Sequence, residues 1–275
     1  MFDFDYTLMP DSISQFLDSR GVSASDFWMQ DVRRLEEAGY DFTLAYLNAL
    51  LSLIGPNRPL GELTNQQLAD FGAVLDDKYY PGIPEVFSDL KTIVRRFKRI
   101  DIDFYIISGG LEAMIGGSRI VRDHFRAYYG CLVDSEGTAN YLNKILRTIS
   151  FTEKTRYLYE ISKGVSKQQS QARPYLVNEP VAHNQLRIPF QNMIYVGDGE
   201  SDIPCFAIVK HGGGLPFGVQ DPKRARSRQI GRRRVVSRHP PNYGPRRRLG
   251  KVLRLAVEMM CWRITIERGF SPPRS

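Results

Sequence analysis

Aspartates at positions 3 and 5, a serine at 108, a lysine at 154 and the run Gly-Asp-Gly-Glu-Ser-Asp at 197–202 are the residues whose types and spacing suit group transfer. An ionised carboxylate can attack phosphorus to form an aspartyl-phosphate, which divides one difficult displacement into two easier ones. Two neighbouring aspartates permit a division of labour. One attacks, while the other, protonated, donates to the leaving oxygen and later takes a proton from water. Attack on a phosphoryl dianion needs positive charge, which carboxylates cannot give. Mg²⁺ on hard oxygens from Asp3, Asp198 and a second carboxylate would supply it, and Lys154 would add to it. The Ser108 hydroxyl and the Gly109 N–H can hold phosphoryl oxygens in place. Taken singly, each cluster has an ordinary structural meaning, since Asp/Gly runs favour turns. Their conjunction, in order, with the polar groups at the ends of apolar strands, is what points to catalysis.

These residues must be carried by particular elements. FDFDYTL (2–8) reads as the end of a strand that delivers polar groups to its tip. Only two residues precede Asp3, where a central strand needs several more, so the strand is abbreviated or the true start lies upstream. Residues 11–79 have apolar positions at three- and four-residue spacing (Ile13, Phe16, Leu17; Leu47, Leu50, Leu51) and read as an all-helical block, with Asp11-Ser12 and Thr64-Asn65 as candidate caps. After Tyr80-Pro81-Gly82 a helix is expected over 83–97, then the buried strand IDIDFYIISGG, then a further helix within 111–130. Short strand or loop pieces follow in 131–150. A helix from Phe151 to about Lys163 puts Lys154 in its first turn, and 165–190 reads as a polar excursion. NMIYV is a buried strand ending in GDGESD, and one more short strand follows the glycines at 212–214. In an open α/β sheet ligands bind at the carboxyl ends of the strands, where Asp3, Ser108 and Asp198 would converge.

The four clusters resemble the motifs of the haloacid dehalogenase superfamily of hydrolases: DFDYT (3–7) the first, IISGG with Ser108 the second, FTEKT with Lys154 the third, GDGESD the fourth. The resemblance covers roughly residues 1–222. It implies an α/β fold, a Rossmann-like doubly wound parallel sheet formed by 1–9 and 80–222, with an inserted helical cap at 10–79. It further implies that Asp3 is the nucleophile and Asp5 the general acid/base. Thr7, Ser108, Gly109 and Lys154 would bind the phosphoryl group. Asp3, the Asp5 carbonyl, Asp198 and Asp202 would hold Mg²⁺. The expected activity is Mg²⁺-dependent hydrolysis of a small phosphate monoester. A phosphomutase is the alternative within enzymes, and a non-catalytic anion- or nucleic-acid-binding protein on the same core is the alternative outside them. Lys144 competes for the lysine role; Lys154 is preferred because its helix start follows an apolar strand-like segment.

Composition sets the remaining bounds. The 275 residues are 42% hydrophobic and 25% charged, a globular rather than a disordered or membrane pattern. Acidic residues at 3 and 5 stand where a signal peptide would be basic, so a cytoplasmic protein with no membrane partner is expected. Cys131, Cys205 and Cys261 have no paired metal or disulfide spacing and read as buried thiols, and the four histidines are scattered. The net charge of +8 is local: Lys223 to Arg254 holds 13 Lys/Arg and no acid. That segment lacks interleaved aromatics apart from Tyr243, so a solvated basic face is expected in preference to a nucleic-acid site. The apolar stripe Leu249, Val252, Leu253, Ala256, Met259, Met260 predicts a docking helix at its end.

Overall fold

A computed structural model describes residues 1–220, 244–245 and 249–269. Most of the Arg-rich segment, 223–243 and 246–248, lies outside the described residues. In chain order the elements are α1 (Ser12–Ser19), α2 (Ala24–Asp26), α3 (Arg33–Glu37), α4 (Phe42–Ser52), α5 (Asn65–Val74), α6 (Ile83–Val94), β1 (Tyr105–Leu111), α7 (Glu112–Gly117), α8 (Arg119–His124), β2 (Ala127–Asp134) and β3 (Lys144–Arg147). They continue with α9 (Glu153–Lys163), α10 (Lys167–Ala172), β4 (Ile194–Gly197), α11 (Ile203–His211), β5 (Leu215–Gln220), β6 (Gly244–Pro245) and α12 (Leu249–Glu267). The chain divides into two compact units, one of Asp3–Tyr79 with Tyr105–Lys154, the other of Met1–Phe2, Tyr80–Phe104 and Thr155–Ser275.

In the first unit, β1 pairs with β2 in parallel and β2 with β3 antiparallel. The helical block expected at 11–79 is present. Thr64 opens α5 with a reciprocal capping box, its side chain taking the Gln67 N–H while Gln67 takes its own. Asp11 stands at the start of α1, but its carboxylate accepts from the Ser14 hydroxyl and not from a backbone N–H, so this expected cap holds a side chain instead. Helix α5 lies close against α7, because Gly72 and Gly117 let the backbones meet. A Cβ on Gly117 would stand 1.9 Å from the Ala69 carbonyl oxygen, and one on Gly72 2.1 Å from that of Met114.

In the second unit, β5 lies between β4 and β6, all parallel. The two residues ahead of Asp3 do pair in this sheet: Phe2 bridges Val196 in parallel register, and the Val196 N–H donates to the Met1 carbonyl at 2.9 Å. Phe2, Phe87 and Phe104 form its aromatic core, with ring centroids 5.1–6.3 Å apart. Helix α6 ends at Val94, three residues earlier than the expected Phe97, in turns that take Arg99 to a left-handed φ of 59°. Helix α12 packs on α6, as its apolar content predicts, and half of the expected stripe, Leu249, Leu253 and Ala256, is buried. Val257, Cys261 and Ile264 are buried with them, while Val252 and Met259 are exposed. The polar excursion contains α10, opened by a Ser166–Gln169 capping box, and two short 3₁₀ turns. All three cysteines are buried thiols. No helix among the described residues is long and apolar enough to cross a membrane.

Candidate active site

The first unit holds the residues of three of the four motifs. Directly after Phe2 the chain turns: the Thr7 and Leu8 N–H groups return to the Phe4 carbonyl, and Tyr6 takes a left-handed φ of 56°. The turn buries Phe4 and Leu8 and presents Asp3 and Asp5 from one short loop. Asp3 is 5% exposed, and its Oδ1 accepts the Phe4 N–H at 2.8 Å. The Lys154 ammonium stands 3.2 Å from the same oxygen and is itself only 1% exposed. Burying two charges costs several kcal/mol each unless they face one another, so an ion pair this deep marks a place where the fold tolerates a cost. Helix α9 makes it possible. Its first turn begins as the Lys154 N–H bonds the Ser150 carbonyl, which places the side chain at the helix start.

Asp5 is half-buried, and its Oδ1 accepts the N–H of Ser12, the first residue of α1, at 2.7 Å. Its Oδ2 lies against Gly110, where a Cβ would stand only 2.7 Å away. Ser108, in the middle of β1, is buried, and its hydroxyl oxygen accepts the Gly110 N–H at 3.1 Å. Thr7 is fully buried, and its hydroxyl has no hydrogen-bond partner in the structure. A buried polar atom left so is costly, and it is a natural point for an incoming oxygen. The competitor Lys144 sits on β3 at the surface, in an exposed pair with Glu136 at 2.5 Å.

The second unit holds the fourth motif. Asp198 follows β4 directly and is half-buried. Asp202, at the foot of α11, is fully buried and anchored: the Tyr195 hydroxyl donates to its Oδ1 at 2.8 Å and the Gly199 N–H to its Oδ2 at 3.2 Å. Gly197 is obligatory for this anchoring, since a Cβ there would meet the Asp202 carboxylate at 2.3 Å. All the candidate metal ligands are carboxylate or carbonyl oxygens, hard donors that suit Mg²⁺ and not a soft metal.

Motif reading passed over three groups that hold these residues: the Ser12 N–H, Tyr46 and Cys131. Tyr46 donates to the Gly109 carbonyl at 2.5 Å, and the Cys131 thiol stands 3.2 Å from the same oxygen. Nothing in their spacing marks them. Burial pushes the Tyr46 phenol well above its ordinary range, aided by Cys131, Asp5 and Asp11 nearby, and burial likewise pushes the Cys131 thiol up. Trp28 is half-buried, donates to the Ser14 hydroxyl at 2.8 Å and stacks on Phe42.

No family model matches the chain. An uncharacterized protein of Borreliella burgdorferi is 28% identical over 233 residues, covering 77% of this chain and 78% of that one. A solved structure of a HAD family hydrolase from Salmonella enterica subsp. enterica serovar Typhi aligns with a TM-score of 0.51 at 20% identity, covering 82% of this chain. The chain spans 63% of that protein's length. A likeness at that identity carries the fold and nothing finer: the chain has the haloacid dehalogenase hydrolase fold.

Proposed function

We propose that the protein is a hydrolase of phosphate monoesters that works through an aspartyl-phosphate on Asp3 and depends on Mg²⁺. The observation that carries this reading is the buried pair of Asp3 and Lys154, a carboxylate beside a fixed cation, with the buried Ser108 hydroxyl on β1. The Asp3 carboxylate attacks phosphorus in line with the leaving oxygen. Lys154, the Ser108 hydroxyl, the Gly109 N–H and Thr7 take up the charge on the phosphoryl oxygens. Asp5, steadied by the Ser12 N–H, gives a proton to the leaving oxygen and takes one from the water that opens the acyl phosphate.

Asp3, the Asp5 carbonyl, Asp198 and Asp202 would hold the metal. Their hard-oxygen donor set supports this, as does the register in which Phe2 lies opposite Val196, two residues before Asp198. When bound, Mg²⁺ supplies neutralisation of the negative charge that nucleophile and phosphoryl group bring together. The strands are proposed to belong to a Rossmann-like core, and residues 10–79 to act as the cap that selects the leaving group.

The test is phosphate release from a panel of phosphomonoesters with and without Mg²⁺, for the intact chain and Asp3→Asn. Metal-dependent release that falls by at least about a thousandfold in Asp3→Asn is the expected result. Release that survives the substitution overturns the nucleophile assignment. Return of the phosphoryl group to another position of the substrate, in place of release, identifies a mutase.

A further inference from the structure

We propose that Tyr46 is a positioning residue for the phosphoryl-holding loop, acting on Ser108 through the Gly109–Gly110 peptide. The inference rests on the phosphatase reading and adds to it a residue that no motif contains. Tyr46 comes from α4, 63 residues before the carbonyl it binds, and is 4% exposed. Its ring is fixed among aromatics, 5.9 Å from Trp28 and 6.2 Å from Phe42 between centroids. A side chain with so little freedom can hold its hydroxyl in one place.

The peptide group makes the hydroxyl consequential. Carbonyl and following N–H are fixed to opposite sides of one plane. Holding the Gly109 oxygen therefore aims the Gly110 N–H, which donates to the Ser108 hydroxyl oxygen at 3.1 Å. A hydroxyl that accepts there must turn its own hydrogen elsewhere, so the direction in which Ser108 donates is set from Tyr46. The carbonyl has two lone pairs, and the Cys131 thiol at 3.2 Å suits the second. The Ile149 N–H, donating to the Cys131 sulfur at 3.2 Å, keeps that thiol in place.

The test is a double-mutant cycle read by binding of inorganic phosphate in the presence of Mg²⁺, with thermal midpoints measured in parallel. Tyr46→Phe removes one oxygen and keeps the ring. Ser108→Ala is expected to weaken phosphate binding about tenfold and Tyr46→Phe about fivefold, the scale of one hydrogen bond. The double variant should bind no more weakly than Ser108→Ala alone, because Tyr46 acts only through that hydroxyl. Additive losses, or unchanged phosphate affinity in Tyr46→Phe, overturn the proposal while leaving the phosphatase reading intact. Unchanged affinity in Ser108→Ala instead overturns the reading of Ser108 itself, and the proposal with it.

Discussion

At the scale of single residues, chemistry and cost coincide at Asp3 and Lys154. Two ionised groups are buried where a hydrophobic pair would be cheaper, which makes sense when the charges are to be used. The contrast with Lys144 is instructive: the sequence favours Lys154, whose helix start follows an apolar strand-like segment, and packing buries Lys154 beside Asp3 while Lys144 stays at the surface. Lys154→Met should reduce phosphomonoester turnover by about a hundredfold or more, since it removes a fixed cation from the developing charge. Lys144→Met should leave turnover unchanged and alter stability by less than about 1 kcal/mol, as exposed pairs do. Steady-state kinetics and urea midpoints of the two variants decide between the lysines. The motif aspartates were legible because their spacing is local. Tyr46 was not, because its meaning comes from an oxygen 63 residues away.

At the scale of elements, periodicity predicted helices and strands well where one face is buried, and less well where a neighbour chooses the face. Helix α12 shows both: its existence follows from apolar content, whereas its buried row keeps Leu249, Leu253 and Ala256 of the expected stripe and adds Val257, Cys261 and Ile264. Helices α5 and α7 show a second kind of information. A glycine inside a helical pattern ordinarily weakens it, yet Gly72 and Gly117 are the points where two backbones touch. Gly117→Ala should destabilise the protein by about 2 kcal/mol, even though alanine favours helix, because the added carbon must displace the Ala69 carbonyl. A urea midpoint that rises in this variant would show that the two helices do not meet so closely.

At the scale of the whole molecule, both units bury protonated groups that resist ionisation. Burial raises the Cys261 thiol from 9.0 to about 11, helped by Glu258, and raises Cys131, Tyr46 and Tyr79 in the same direction. The unfolded chain ionises these groups first, so it gains relative to the folded one as pH rises. The Cys261 contribution is complete below about pH 9 and is lost as pH rises through about 11, and those of Tyr46 and Tyr79 are lost at higher pH still. Urea midpoints should therefore hold to about pH 9 and fall steeply by pH 11, and alkylation of the native thiols at neutral pH should be slow until denaturant is added. By itself the sequence determined the order of the four motifs, the alternation of helix and strand around them and the buried state of the cysteines, because each depends on neighbours a few residues apart. Only the tertiary structure decided which lysine faces Asp3, which tyrosine holds Gly109, which stripe of α12 is buried and which glycines are contact points. Those choices are made by packing between segments distant in the chain, where burial cost and steric fit, and not local periodicity, select the partner.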